Sequence, residues 1–301
     1  MRVGIAGNIR KKNTPGAILQ LLKALERRGI SFILQDRLGE TFEELRDVGN
    51  AVPSEKLRTD CDLVFAFGGD GTMLSTGRML AGSGVPLAGF NLGKLGFLAE
   101  FSVDAIEETL DEYLNGDCKI VERTLLEANV PGEPEKPPLI GLNDIVIDKR
   151  DTRLMVNLAV YVNRDYLGTY SADGLIISTP TGSTAYSLAV GGPVVAPSAN
   201  VIVITPIAPH MLTARPVVIA DTAELEIIPI PYRNTDDSIH VIADGQNHHY
   251  LPLPAKIVVT RHRHTVRLVK RASRTYFDVL RAKLLWGRRP VLENNDEGVT
   301  D

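Results

Sequence analysis

The stretch Leu63-Val64-Phe65-Ala66-Phe67-Gly68-Gly69-Asp70-Gly71-Thr72-Met73-Leu74 constrains this chain more than any other. Its apolar run is too short for anything but a buried strand, and it meets three glycines and a carboxylate. The chain then passes into Thr72-Met73-Leu74-Ser75-Thr76-Gly77-Arg78-Met79-Leu80, which reads as a helix with Thr72 near its N-cap. The turn therefore falls at the carboxyl end of a strand, where open α/β sheets bind ligands. Glycines let phosphate oxygens approach backbone N–H groups, and a helix N-terminus favours their negative charge. No Gly-Lys-Ser/Thr follows, so this is not a Walker loop. An acid amid a phosphate cradle repels its ligand unless it has work to do, such as accepting a proton from an attacking hydroxyl. A tight turn in which Asp70 only caps the helix is the plainer reading.

Through about residue 117 the pattern alternates strand and helix. Arg2-Val3-Gly4-Ile5-Ala6-Gly7 starts a strand, followed by a polar basic loop holding Arg10-Lys11-Lys12, which either attracts phosphates or is merely solvated. Residues 17–28 are helical by their leucine spacing and end at Gly29; residues 31–34 and 85–91 are strands and 103–114 a last helix. Such alternation implies a mainly parallel sheet covered by helices. From about Lys119 strands and turns take over, with strands expected at 155–162, 175–178, 201–204, 225–228 and 256–260. The economical division is an α/β domain over 1–117, an all-β domain over 118–270, and a helix with a frayed tail over 271–301. The helical spacing of Phe277, Leu280, Leu284 and Leu285 suggests packing back on the first domain, with Leu284-Leu285-Trp286 as an anchor.

At 301 residues the chain can bury two cores, and a net charge of −4 gives no reason to expect nucleic acid. Cys61 and Cys118 form no disulfide framework and show no metal-ligand spacing. With no signal-like start and no apolar run long enough to span a bilayer, a cytoplasmic protein without a membrane partner is expected.

Two further stretches carry chemistry. Tyr170-Ser171-Ala172-Asp173-Gly174 precedes a buried strand that empties into Thr179-Pro180-Thr181-Gly182-Ser183-Thr184-Ala185-Tyr186-Ser187. Five Ser and Thr hydroxyls around one glycine suit recognition of a sugar or nucleotide, with Tyr186 as a flat partner for a base. The alternative is a loop with incidental hydroxyls. Asn143-Asp144, a polar pair in an apolar run, offers a donor and acceptors for a base edge and a ribose, or else makes a simple turn or bulge.

Together these stretches resemble the NAD kinases, in the right order. The resemblance rests on Gly68-Gly69-Asp70-Gly71-Thr72, Asn91-Leu92-Gly93-Lys94-Leu95-Gly96-Phe97, Leu142-Asn143-Asp144, and Asp173 with residues 179–193. Pro209-His210-Met211-Leu212-Thr213-Ala214-Arg215-Pro216 and Asp244-Gly245-Gln246 also look like that family's later motifs. The glycine loop alone is shared with diacylglycerol and sphingosine kinases; its pairing with Asn143-Asp144 and Gly182-Ser183-Thr184-Ala185-Tyr186 is specific.

The resemblance implies a Rossmann-like α/β domain joined to an all-β domain, with the site between them. It implies transfer of the ATP γ-phosphoryl group to the 2′-hydroxyl of the adenosine ribose of NAD, with Asp70 as general base. Gly68, Gly69, Gly71 and Thr72 would face the donor phosphates. Asp70, Gly71, Phe97, Asn143, Asp144, Asp173, Thr184, Ala185, Tyr186, Ser187, Ala189 and Gln246 would form the NAD pocket. ATP is the implied donor, polyphosphate a possible substitute, and Mg²⁺ or another divalent cation would come with the nucleotide. A homodimer or homotetramer is implied.

Two positions depart from the family pattern. Ser171 stands where many relatives carry a basic residue, and Arg153 is the candidate replacement. Ala189 stands where some relatives carry Ser. Arg261-His262-Arg263-His264 and His248-His249 lack the partners a metal site needs. Two rival functions are a lipid or sphingoid-base kinase sharing the glycine loop, and a non-catalytic NAD(P) sensor. The hydroxyl-rich pocket argues against the first, and Asp70 against the second.

Overall fold

The computed structural model describes residues 1–93, 96–133, 135–149, 155–230 and 238–286. The alternating half forms β1 (Arg2–Gly7), α1 (Thr14–Arg27), β2 (Ser31–Gln35), α2 (Asp36–Thr41), α3 (Glu43–Arg46), β3 (Ala51–Val52), β4 (Leu63–Gly68), α4 (Asp70–Leu80), β5 (Leu87–Asn91), β6 (Phe101–Ser102) and α5 (Ile106–Leu114). Strands β3, β2, β1, β4 and β5 lie side by side in that order, all parallel. Every residue of β4 is buried, because its alternating side chains serve two cores. Phe65 and Phe67 pack with Ile5, Ile18, Leu21 and Phe90 on one face. Val64 and Ala66 join Met73 and Leu74 on the other, together with Leu125, Leu142, Val266 and Leu268 from the later half of the chain.

That later half contains β7 (Cys118–Asn129), β8 (Leu139–Gly141), β9 (Asp144–Lys149), β10 (Val156–Val162), β11 (Asp165–Ala172), β12 (Gly174–Ser178), α6 (Tyr186–Ala189), β13 (Val201–Ile207), β14 (Val217–Ala220), β15 (Leu225–Ile230), β16 (Ser238–Ala243), β17 (Asn247–Pro252), β18 (Ile257–Arg271) and α7 (Tyr276–Leu284). One antiparallel sheet has the order β14-β13-β12-β9-β16-β17. The remaining strands are continuous with the parallel sheet, in the order β11-β10-β15-β18-β5-β4-β1-β2-β3. The join is β18, which pairs antiparallel with β7 and β15 and meets β5 in parallel at Leu268 and Leu87. Between the two sheets of this half lies a core of Ile145, Ile147, Leu175, Ile177, Ile204, Ile227 and Val259.

Two local details differ from expectation, the start of α4 and the role of Trp286. Helix α4 begins at Asp70, because the Gly69 carbonyl accepts from the N–H groups of Thr72 and Met73 and makes Gly69 the N-cap. Helix α7 is started by a capping box between Thr275 and Asp278 and packs through Val279 and Leu280. Trp286 is no anchor: Leu285 takes a left-handed conformation that ends the helix, and both residues stay exposed. The helix does return to the first half, with the Lys283 ammonium 5.8 Å from the centre of the Phe97 ring. Arg261 and Arg263 are exposed while His262 is buried, at an irregularity in the β18–β7 pairing. His262 lies 3.5 Å from Glu127. Among the described residues no group of three His, Cys, Asp or Glu side chains is placed to hold a metal ion, and no helix is long and apolar enough to cross a membrane.

Candidate active site

Asp70 stands at the carboxyl end of β4, with its carboxylate turned toward a second glycine loop. Oδ2 accepts from the Phe97 N–H at 2.9 Å; Oδ1 accepts from Leu98 at 2.9 Å and Ala99 at 3.1 Å. The capping role is thereby excluded, since the carboxylate makes no bond to its own helix. Gly96 makes this embrace possible, because a Cβ there would lie 2.0 Å from Asp70 Oδ1. Gly69 is different. Its backbone is extended, and a Cβ built on it would meet nothing within 4 Å. Neither packing nor conformation demands glycine there, which leaves room for a ligand at the start of α4. Gly68 instead packs against the Thr72 side chain.

Asn143 and Asp144 form a corner entering β9 whose shape is set by a residue from another strand. Asp244, with a left-handed backbone after β16, accepts from the N–H groups of Leu142, Asn143 and Asp144 at 2.9, 2.7 and 3.2 Å. The same carboxylate pairs with Arg78 of α4, and both side chains are buried. Arg78 also donates to Gln246 Oε1 at 2.5 Å, while Gln246 Nε2 donates to the Gly71 carbonyl at 2.9 Å. These bonds tie the Asp70 helix to the Asn143–Asp144 corner. The Asn143 amide and Asp144 carboxylate have no side-chain bond among the described residues and remain available. Burial first, and the Asp244 charge second, push the Asp144 carboxyl up to about 7.

The hydroxyl loop divides into an inner and an outer set. Thr179 Oγ1 donates to the Leu142 carbonyl at 2.7 Å, Ser183 to the Pro180 carbonyl at 2.7 Å, and Ser187 shares a hydrogen bond of 2.9 Å with Thr205. All three are fully buried and hold the loop rather than face a ligand. Gly182 seats it against the Asn143 carbonyl, where a Cβ would lie 2.1 Å away. Thr181, Thr184, Ala185, Tyr186 and Ala189 are left on the accessible side. Partial burial of the otherwise exposed ring raises the Tyr186 hydroxyl above its ordinary range, assisted by the charges of Asp148, Asp144 and Asp173. Asp173 itself is paired with Lys149 at 2.6 Å.

Comparison with known proteins supplies the decisive observation. Residues 3–118 match the model of the ATP-NAD kinase N-terminal domain, and residues 142–271 that of the ATP-NAD kinase C-terminal domain. An NAD kinase of Chlorobium phaeobacteroides is 38% identical over 290 residues, covering 96% of this chain and 98% of that one. The chain belongs to the NAD kinase family.

Two solved structures share the fold of this family member. Yeast NADH kinase complexed with NADH has a TM-score of 0.87 at 23% identity, covering 97% of this chain and 89% of that one. An Archaeoglobus fulgidus NAD kinase in complex with ATP has a TM-score of 0.75 at 24% identity, covering 95% and 99%. The lipid-kinase and sensor readings gain no support from these matches. Of the family positions expected from sequence, Asp70, Gly71, Phe97, Asn143, Asp144, Thr184, Ala185 and Tyr186 stand on the elements just described, whereas Ser187 is turned inward. Gln246 is a clamp between Gly71 and Arg78. Arg153 lies outside the described residues, as do Lys94 and Leu95 of the second glycine loop.

Sequence reasoning assigned no role to Arg78, Asp244 or Lys149. Asp244 lay in a recognised motif, which could have flagged it; Arg78 and Lys149 carry no local signal. A cavity of about 250 Å³ also opens beside Thr72, at the carboxyl ends of β1 and β2, lined by Gly7, Gln35, Arg37, Ser75 and Met79. On the neighbouring side the Lys11 ammonium comes near Gly93: a Cβ on that glycine would lie 3.7 Å from Nζ.

Proposed function

We propose that this chain transfers the γ-phosphoryl group of ATP to the 2′-hydroxyl of the adenosine ribose of NAD, making NADP. The observation that carries the reading is the Asp70 carboxylate, anchored by three backbone N–H groups at the start of α4. Phosphoryl transfer asks little covalent work of a protein, so alignment and charge neutralisation dominate. Asp70 accepts the 2′-hydroxyl proton as the ribose oxygen attacks phosphorus and the ADP oxygen leaves. Asn143 and Asp144 bind the adenine and the ribose hydroxyls, with Phe97 against the base and Thr184, Ala185, Tyr186 and Asp173 completing the pocket.

The donor phosphates lie over Gly68, Gly69, Gly71 and Thr72, where the open face of Gly69 admits an oxygen, and Lys11 adds positive charge. The nucleotide enters from the cavity beside Thr72. A divalent cation, Mg²⁺ or another, would come with the triphosphate rather than from a side-chain cluster among the described residues, and would supply charge neutralisation there. Lys149 brings a cation to Asp173, the neighbourhood where Ser171 replaces a basic residue; Arg153 is a second source. The reading also takes the protein as a cytoplasmic homodimer or homotetramer, with Ala189 at the pocket rim. The deciding assay crosses NAD or NADH with ATP or polyphosphate and measures NADP or NADPH. Formation from NAD and ATP is expected, and no product in any combination would overturn the proposal.

A further inference from the structure

A cavity of about 290 Å³ lies between the Phe97–Glu100 segment, β7, the end of β18 and the start of α7, with Thr181 and Thr184 at one edge. It shares Phe97 and Thr184 with the NAD pocket proposed above, but Asp70, Asn143, Asp144 and Tyr186 do not line it. Its charges are unbalanced: Lys119, Arg123, Lys270 and Arg274 face it against the single carboxylate of Glu100.

The bonds already made leave a definite remainder. Glu100 Oε2 pairs with Lys270 at 3.0 Å, and Lys270 also reaches the carbonyls of Phe97 at 3.2 Å and Leu98 at 3.3 Å. Lys119 donates to the Ala272 carbonyl at 2.8 Å. Arg123 uses one nitrogen on the Glu122 carbonyl at 2.9 Å. Among the described residues no carboxylate stands within ion-pair distance of Arg123, on which the Glu100 charge acts only through space, and no side-chain hydrogen bond or ion pair holds Arg274. Both are half-buried, a costly setting for an unpaired guanidinium. On the other side of the balance, Glu100 is 7% exposed and its Oε1 is buried without a partner. The remaining wall is apolar, formed by Leu98, Val121, Pro197, Val279 and the Tyr276 ring.

Two guanidinium forks without an ion-pair partner in contact, one carboxylate oxygen lacking a donor, and an apolar wall between them define a ligand class. We propose that this cavity binds a small amphipathic organic anion, its carboxylate or phosphate on Arg123 and Arg274 and a hydroxyl or amino group on Glu100 Oε1. The site is also wired to Asp70. Lys270 holds the carbonyls of Phe97 and Leu98, whose N–H groups hold the Asp70 carboxylate. An occupant that draws on Glu100 shifts Lys270 and with it the catalytic carboxylate, so it acts as an effector; this second half rests on the function proposed above, and the binding half does not.

Calorimetry on the full chain with 4-hydroxybenzoate, phenyl phosphate and inorganic phosphate tests the proposal. Both organic anions should bind more tightly than inorganic phosphate. Arg274→Gln, which removes a side chain with no partner to lose, should weaken both by about 10- to 100-fold, the loss expected for a charge-assisted hydrogen bond. Glu100→Gln should weaken 4-hydroxybenzoate more than phenyl phosphate, which has no donor to offer. Equal affinity for all three anions, an Arg274→Gln variant with unchanged Kd, or displacement of the anions by NAD would each overturn the site. Absence of NADP formation beside intact anion binding would instead count against the kinase reading alone.

Discussion

Gly96 lies so close to Asp70 that a Cβ on residue 96 would stand 2.0 Å from the carboxylate oxygen Oδ1. The second glycine loop is therefore shaped around the acid of the first. Gly96→Ala must push the carboxylate off the N–H groups of Phe97, Leu98 and Ala99. Overpacking of this kind costs about 1–3 kcal/mol. The variant should melt several degrees lower and lose most turnover, while the KM for ATP changes little. Unchanged kcat in Gly96→Ala would mean the carboxylate position is unimportant.

Asp70→Asn should lower kcat by about 10²- to 10⁴-fold, the usual worth of general-base assistance. NAD binding, measured by calorimetry, should stay within a few-fold, because Asn143 and Asp144 are untouched. The amide also turns an N–H toward backbone donors, so a modest drop in Tm is expected. A variant retaining kcat within a few-fold of the parent would remove Asp70 from the role of base.

Asp144 makes stability depend on pH. Its folded-state carboxyl is raised from 3.8 to about 7, mainly by burial, so the folded chain holds a proton that the unfolded chain has released between those values. That favours folding at the acid end and is lost as pH rises from about 4 to about 7. Asp144→Asn removes the loss. The unfolding free-energy difference between variant and parent, measured by denaturant titration at each pH, should grow through this window and level off above it at roughly a few kcal/mol. A difference independent of pH would show that Asp144 is ionised throughout.

Arg78 and Asp244 form a buried pair joining α4 to the Asn143–Asp144 corner. Arg78→Leu leaves the Asp244 charge buried with backbone donors only, and should cost about 3–5 kcal/mol in a denaturant titration. It should also raise the KM for NAD, because the corner that Asp244 holds is loosened. A loss of stability with no change in KM would confine the pair to a structural role.

Much of this was legible before folding. The run from Leu63 to Thr72 is strand, turn and helix by local rules, since apolar length and glycine placement act over a few residues. Asn143-Asp144 and the hydroxyl loop were visible as polar exceptions in apolar surroundings, and their order along the chain pointed to the family. The inner and outer hydroxyls were not separable: Ser187 and Tyr186 are neighbours in sequence, yet Thr205 claims one and leaves the other exposed.

Periodicity and turn chemistry thus determined which elements form and where the acid sits on the chain, because those forces are local. Which groups meet that acid was settled by chain segments far apart in sequence. The loop at Phe97 wraps Asp70, Arg78 finds Asp244, and β18 makes one sheet of two halves. Hydrogen-bond and charge partners are chosen by proximity in space, and only burial of the shared core around Leu74, Leu142 and Val266 brings those segments together.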